Sequence, residues 1–254
     1  MHEALKLTAH QYKTGNYNKA ILALGSCEAH GQHLPLGTDT WVSYMLSCKI
    51  ADQVEGTLVL PPVSVGVSEH YAGFPFTLYL KTDTMIAVIK DILRTTIMNG
   101  INRIFIMNGH DGNIAPIEVA AREIKMEFPK AHIIALNDWW IAAGKLLPAG
   151  TFEVWDGLGH AGEGETSIAL QLFGEWCEME HAAGVVPDHL PQHMDVKWDF
   201  SELTNTAATG DPTKGTKEKG EKMEKVLLDL IVGTLKKLDA CGWDYTSTVS
   251  AKKY

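Results

Sequence analysis

Nowhere in this 254-residue chain do apolar residues run on for the ~18 positions that a membrane-spanning helix requires, so a membrane protein is not expected. The opening stretch MHEALKLTAHQYKTG has no basic segment leading into an apolar one, which argues against a secretory leader and for the cytoplasm. Basic residues are in deficit, 22 Lys and Arg against 31 Asp and Glu, for a net charge of −9. A nucleic-acid partner, whose phosphates call for a basic face, is therefore not expected. The cysteines, Cys27, Cys48, Cys177 and Cys241, are widely spaced and form no C-x-x-C pair, so neither a zinc knuckle nor a disulfide scaffold is indicated. A G-x-G-x-x-G turn after the first apolar strand is also missing, which removes the signature of a nucleotide-binding Rossmann enzyme. What remains is 45% apolar and 21% charged, ordinary globular composition, on a length that suits one domain spanning 1–254. Eleven histidines beside an acidic excess are material for a nitrogen- and oxygen-ligated metal site.

Short branched apolar runs alternate with helical periodicity through the first two thirds, the pattern of βαβ units around a largely parallel sheet. Strands are expected at Ala20 to Gly25, Thr57 to Leu60, Arg103 to Met107 and His132 to Leu136. A helix from about Asp83 to Asn99 carries Met85, Ile86, Ile89, Ile92, Leu93 and Ile97 on one face, with Thr82 or Asp83 to cap it and Gly100 to stop it. Further helices are expected to open at Asp39, after Asn113 and near Gly162, and each opening lies beside acidic or histidine residues. In open α/β sheets ligands bind beyond the carboxyl ends of the strands, so these openings converge on one edge. The polar stretch 201–222 reads as a surface loop before a last amphipathic helix reaching about Leu238.

Three segments carry the chemistry. The first, LGSCEAHGQHLPLGTDT, packs Glu28, His30, His33 and Asp39 directly after a strand, and an extended Glu-x-His places both side chains on one side of the backbone. Carboxylates combined with imidazole suit zinc, manganese or iron in a hydrolytic site. Taken singly, Asp39 is equally an ordinary helix cap and His33 a residue that orients a ligand. The second, IFIMNGHDGN, sends His110 off a buried strand into a glycine-containing turn. The third, GHAGEGETS, puts His160, Glu163 and Glu165 at a helix start, where acidic residues are also favoured by the helix dipole alone.

GSCEAHGQHLPLGTD, NGHDGN and HAGEGETS, in that order, together resemble the creatininase family, and GVSEHYAGFPFT and GDPTKGTKEKGEK look like further family segments. That family also includes formamide deformylases, a peptidase of mycofactocin maturation and a ring-opening hydrolase of a keto-inositol. The resemblance implies a three-layer α/β/α fold, two divalent ions per subunit, zinc or manganese with iron as a further option, and a homohexamer. Carried onto this chain it implies Glu28 and His110 on one ion, His30 on the other and Asp39 bridging. Creatininase proper has a glutamate two residues beyond the NGH histidine; here that position is Gly112, and Glu163 is expected to supply the replacement. His160 matches the proposed proton donor, with Glu165 orienting it. The implied activity is creatinine amidohydrolase-like hydrolysis of an amide, cyclic amide or related carbonyl in a small polar substrate. The keto-inositol hydrolase and formamide deformylase reactions stand as alternatives, as does a non-catalytic metal-binding assembly protein. Ser68, Glu69, His70 and Asp111 are candidate substrate contacts, as are Trp139, Trp140 and Trp155, for which core packing is the competing role.

Overall fold

The computed structural model describes residues 2–188, 190–191 and 196–244. Four strands, β1 (Lys19–Leu24), β2 (Thr57–Val59), β3 (Arg103–Asn108) and β4 (His132–Leu136), form one parallel sheet in the order β2-β1-β3-β4. Seven α-helices accompany them among the described residues: α1 (Ala9–Thr14), α2 (Thr38–Ala51), α3 (Thr82–Met98), α4 (Ile114–Glu127), α5 (Trp139–Leu146), α6 (Glu163–Phe173) and α7 (Lys217–Ala240). The strands at the sheet's centre are apolar on both faces, as parallel strands covered by helices on both sides must be. Ile21, Phe105 and Met107 pack with residues of α2, α5, α6 and α7, whereas Leu22, Leu24, Ile104 and Ile106 pack with Met85, Ile89 and Leu93 of α3 and Ile117 and Ile124 of α4. Alternation along each strand thus feeds two cores and gives the expected three layers.

β1 and β3 pair in register from Ala20 with Ile104 to Leu24 with Asn108, so both strands end side by side at the same sheet edge. The segment 25–30 and His110 leave from these adjacent ends, which brings distant stretches of sequence together. All four expected strands are present within a residue or two. The cap of α3 differs from expectation, Lys81 preceding the helix without a side-chain cap bond, and Asn113, at the cap position of α4, makes no side-chain cap bond either. The Asn113 amide instead donates to the Gly25 carbonyl (3.0 Å) and accepts from the Val67 amide (3.1 Å), tying three loops together beneath the sheet edge. The last helix starts at Lys217, inside the stretch expected to be loop, because Thr216 caps it by accepting from the Lys219 amide.

Candidate metal centre

The segment after β1 is pinned by the Leu78 amide on the Cys27 carbonyl and the Glu28 amide on the Leu36 carbonyl. Glu28 and His30 are fully buried, with His30 Nδ1 3.2 Å from the Glu28 carbonyl. Asp39 lies in the first turn of α2, whose cap position is Gly37, so the carboxylate is not spent on capping. It faces two histidines at once: Oδ1 is 2.8 Å from His30 Nε2 and Oδ2 is 3.0 Å from His110 Nδ1, while the Ser26 hydroxyl donates to Oδ2 at 2.7 Å. His110 Nδ1 also lies 3.3 Å from Glu28 Oε1. From α6, Glu165 reaches within 3.9 Å of His30 Nε2 and accepts from the Ala161 amide. The His160 ring packs at a tilt against that of His30, centroids 4.2 Å apart, with Nδ1 3.9 Å from Glu28 Oε1.

Three histidines share one design. His30 Nδ1, His110 Nε2 and His160 Nε2 each face a backbone carbonyl, those of Glu28 (3.2 Å), Val67 (3.0 Å) and Ala29 (2.7 Å). A carbonyl only accepts, so the facing ring nitrogen carries the hydrogen and the other presents a bare lone pair. Those lone pairs point at carboxylate oxygens, and both Glu28 oxygens are buried without a hydrogen-bond donor. Acceptor against acceptor in a dry site is tolerable only with a positive charge between them. Among the described residues, three sets can each converge on one cation, with ligand atoms within 4.8 Å: Glu28, Asp39 and His110; His30, Asp39 and Glu165; and Glu28, His30 and His160. The donor set, imidazole with carboxylate, fits zinc or manganese.

Without a cation, protons take its place. Burial disfavours the charged form of His30 and His110, but Asp39 and Glu28 outweigh it, pushing His30 up to about 10 and His110 well above its ordinary value. Burial likewise opposes ionisation of Glu28 and Asp39, yet the facing histidines hold both below the usual carboxylate range. Burial raises Glu165 to about 7 and, with the His30 charge, depresses His160 to about 3. His30 thus contributes stability to the metal-free protein that is fully present below its unfolded value of 6.5 and lost as pH climbs through about 10. The chelated protein should therefore show a falling thermal midpoint from pH 7 to 9, while zinc-loaded protein, in which the ion replaces that proton, should bind metal more tightly over the same range. A flat profile in chelator would refute this electrostatic picture.

Glu163 does not join the cluster. Residues i and i+2 of a helix lie about 200° apart, so one turn of α6 cannot aim both glutamates at the same point. Glu165 faces the histidines; the Glu163 carboxylate accepts from the Glu153 and Val154 amides and from Lys219 Nζ, correcting its assignment as a ligand. At Gly112 the turn leaves no space for a side chain. A Cβ there would lie 2.1 Å from the Val67 carbonyl oxygen and 2.7 Å from His110 Nε2, so this backbone has no room for a glutamate. His33 stands apart from the cation sets, its Nε2 2.9 Å from the Thr166 hydroxyl and its basicity lowered by burial to about 4.

Beside the cluster lies a cavity of about 220 Å³, lined by Asp39, Tyr71, His110, Asp111, Trp140, Gly157 to His160 and Glu165. Asp111 and Trp140 are therefore at its wall. Trp139 is not: it is buried in the core, edge-on to Trp140. Ser68 is also buried and sets its hydroxyl 3.3 Å from His110 Nε2, supporting that ring instead of lining the cavity. Glu69 points outward to Lys81 (2.5 Å), His70 packs on Tyr71 and Trp155 stands half-exposed on the loop before the wall. The residue missed in sequence is Tyr71, whose ring lies 4.4 Å from that of His160 and 4.5 Å from that of Phe200. The short 3-10 turn Glu69–Tyr71 turns the acid out and the aromatic in, a choice set by local phase and not by residue type.

Comparison with known proteins identifies the family. The Creatininase (creatinine amidohydrolase) family profile matches residues 6–235. A mycofactocin precursor peptide peptidase of Mycobacterium ulcerans is 26% identical over 221 residues, covering 82% of this chain and 81% of that protein. A 3-dehydro-scyllo-inosose hydrolase of Thermotoga maritima is 30% identical over 185 residues, covering 69% of this chain and 57% of that protein. Among solved structures, a Bacteroides fragilis protein superposes with a TM-score of 0.84 at 24% identity, covering 97% of this chain and 98% of its own. One described as "Creatininase Mn" superposes with a TM-score of 0.78 at 24% identity, covering 92% and 97%. With the family profile spanning most of its length, on the fold its structural neighbours share, the chain belongs to the creatininase family.

Proposed function

We propose that this chain is a hydrolase that holds two divalent cations, zinc or manganese, and uses them to add water across the carbonyl of an amide or cyclic amide in a small polar substrate. The observation that carries the reading is Asp39, each of whose oxygens faces a different histidine, flanked by a Glu28 with no hydrogen-bond donor. Glu28, Asp39 and His110 would hold one ion, and His30, Asp39 and Glu165 the other. When bound, the cations would acidify water toward a pKa of ~7 and polarise the carbonyl under attack.

The chain's own groups supply the proton movement. His160 is neutral at working pH, its Nε2 hydrogen held by the Ala29 carbonyl and its Nδ1 lone pair facing inward. Its inward-facing Nδ1 is placed to relay a proton from the attacking water to the departing nitrogen as the C–N bond breaks, its depressed basicity making it a weak acceptor before the transfer and a strong donor after it. Sequence reasoning casts it as an acid only; a neutral imidazole acts as base first. Tyr71, Trp140 and Asp111 bound the space for the substrate, and about 220 Å³ suits a small molecule or the end of a peptide. The two curated relatives carry a peptidase and an inosose hydrolase name, so the discriminating screen sets a lactam, a formamide, a short peptide and a cyclic ketone before metal-loaded protein. Turnover of a C–N substrate supports the proposal; turnover of the ketone alone replaces it with the ring-opening reaction. Bound metal with no turnover in any arm would favour an assembly protein.

The whole chain, 1–254, is proposed to act as one hydrolase domain. A cytoplasmic setting is proposed from the sequence; no helix among the described residues is long and apolar enough to cross a membrane. A homo-oligomer, the hexamer implied by the family, is checked by sedimentation.

A further inference from the structure

Glu163 is fully buried, yet its carboxylate is well satisfied: Oε2 accepts from the amides of Glu153 and Val154, both at 2.9 Å, and Oε1 accepts from Lys219 Nζ at 2.6 Å. Lys219 in turn donates to the Lys214 carbonyl (3.0 Å) and to Glu153 Oε1 (3.4 Å). The two helix starts are laced together behind this pair. The Ser167 hydroxyl donates to the Glu163 carbonyl (2.6 Å) and accepts from the Thr216 amide (3.1 Å). A Cβ on Gly220 would fall 2.0 Å from the Ser167 carbonyl oxygen, so only glycine lets α7 approach α6 this closely. The segment GDPTKGTKEKGEK, which places no side chain in the cation sets, supplies Lys214, Thr216, Lys219 and Gly220 to this junction.

What the junction grips is the loop leading to the cavity wall. Just past the two amides bound by Glu163, Trp155 and Asp156 adopt left-handed φ values of 47° and 54°, and Gly157 to His160 then line the cavity. Left-handed backbone at non-glycine residues persists only where its surroundings over-determine it. We propose that Glu163 and Lys219 are a positioning pair that fixes the 153–160 loop as the substrate-facing wall, so that the pair governs substrate affinity without touching metal or substrate. The substrate-affinity part rests on the hydrolase reading above; the loop-holding part does not.

The test uses the full-length, zinc-loaded protein with Glu163→Gln, Lys219→Met and Lys219→Arg. Hydrogen exchange of the 153–160 peptide should accelerate about tenfold or more in Glu163→Gln and Lys219→Met, and return toward the parent rate in Lys219→Arg, while bound zinc stays at the parent level throughout. On any amide the parent hydrolyses, KM should rise about tenfold in the first two variants with kcat changed less than about threefold, because His160 keeps its own anchors on the Ala29 carbonyl and the Thr209 hydroxyl. Unchanged exchange in Lys219→Met, which leaves the Glu163 bonds to the backbone amides available, would overturn the proposal, as would a loss of zinc in Glu163→Gln. Should Glu163→Gln not fold, the two lysine variants decide it. Because exchange and zinc content need no substrate, failure of the hydrolase reading would leave them standing.

Discussion

Asp39→Asn is expected to empty the site of metal and lower turnover by on the order of 10³-fold or more, the scale of losing Lewis-acid stabilisation worth several kcal/mol. The substitution is nearly isosteric, so its effect is chemical. Each oxygen of Asp39 serves a different histidine, and the Ser26 hydroxyl already occupies one lone pair of Oδ2. An amide keeps one acceptor, turns a donor toward one half of the cluster and removes the negative charge both halves share. Metal analysis of the purified variant reads this directly. Glu165→Gln should lose metal from the His30 side alone, giving about half the parent content, because Glu28 and His110 are untouched. Parent-level metal in Asp39→Asn would remove the basis for a shared carboxylate, whatever the activity.

The elements most legible in the sequence are those whose residues have one physical option. β1 and β3 are apolar on consecutive positions because both faces are covered, and no helical period competes with that reading. Glu28, His30 and His110 are legible as a group because they follow strand ends, which parallel strands in register deliver to one edge, and Asp39 because it opens the helix that follows β1. Where legibility fails, the choice is one of phase. Glu163 and Glu165 are chemically alike and two residues apart; only the rotation of α6 sends one to the histidines and the other to Lys219. Trp139 and Trp140 are adjacent, and the roughly 100° step of α5 buries the first in the core and brings the second to the cavity. Tyr71 is masked in the sequence by neighbouring Ser68, Glu69 and His70, which carry more conspicuous chemistry. The start of α7 was obscured by Gly and Lys residues that look like loop, although Thr216 caps the helix and Gly220 is required by close packing.

His160→Ala is the second substitution with a large expected effect, and it separates proton transfer from metal binding. The His160 ring touches the cation sets from one side only: Nδ1 is 3.9 Å from Glu28 Oε1, whereas His30 and His110 stand 2.8 and 3.0 Å from Asp39. Removing it leaves Glu28, Asp39, His110, His30 and Glu165 in place, so bound metal should stay at the parent level while the rate falls by ~10²–10⁴, the range for losing a positioned acid–base group. The cavity it vacates is walled by Tyr71 and Phe200, both in ring contact with it, and the variant should therefore lose some thermal stability as well. A residue that first accepts and then donates a proton also predicts partial rescue by added imidazole, which a residue needed only for packing would not show. If the variant loses metal along with activity, His160 belongs with Glu28 and His30 as a ligand, and the proton must travel by another group, of which Glu165, raised by burial to about 7, is the nearest with suitable basicity.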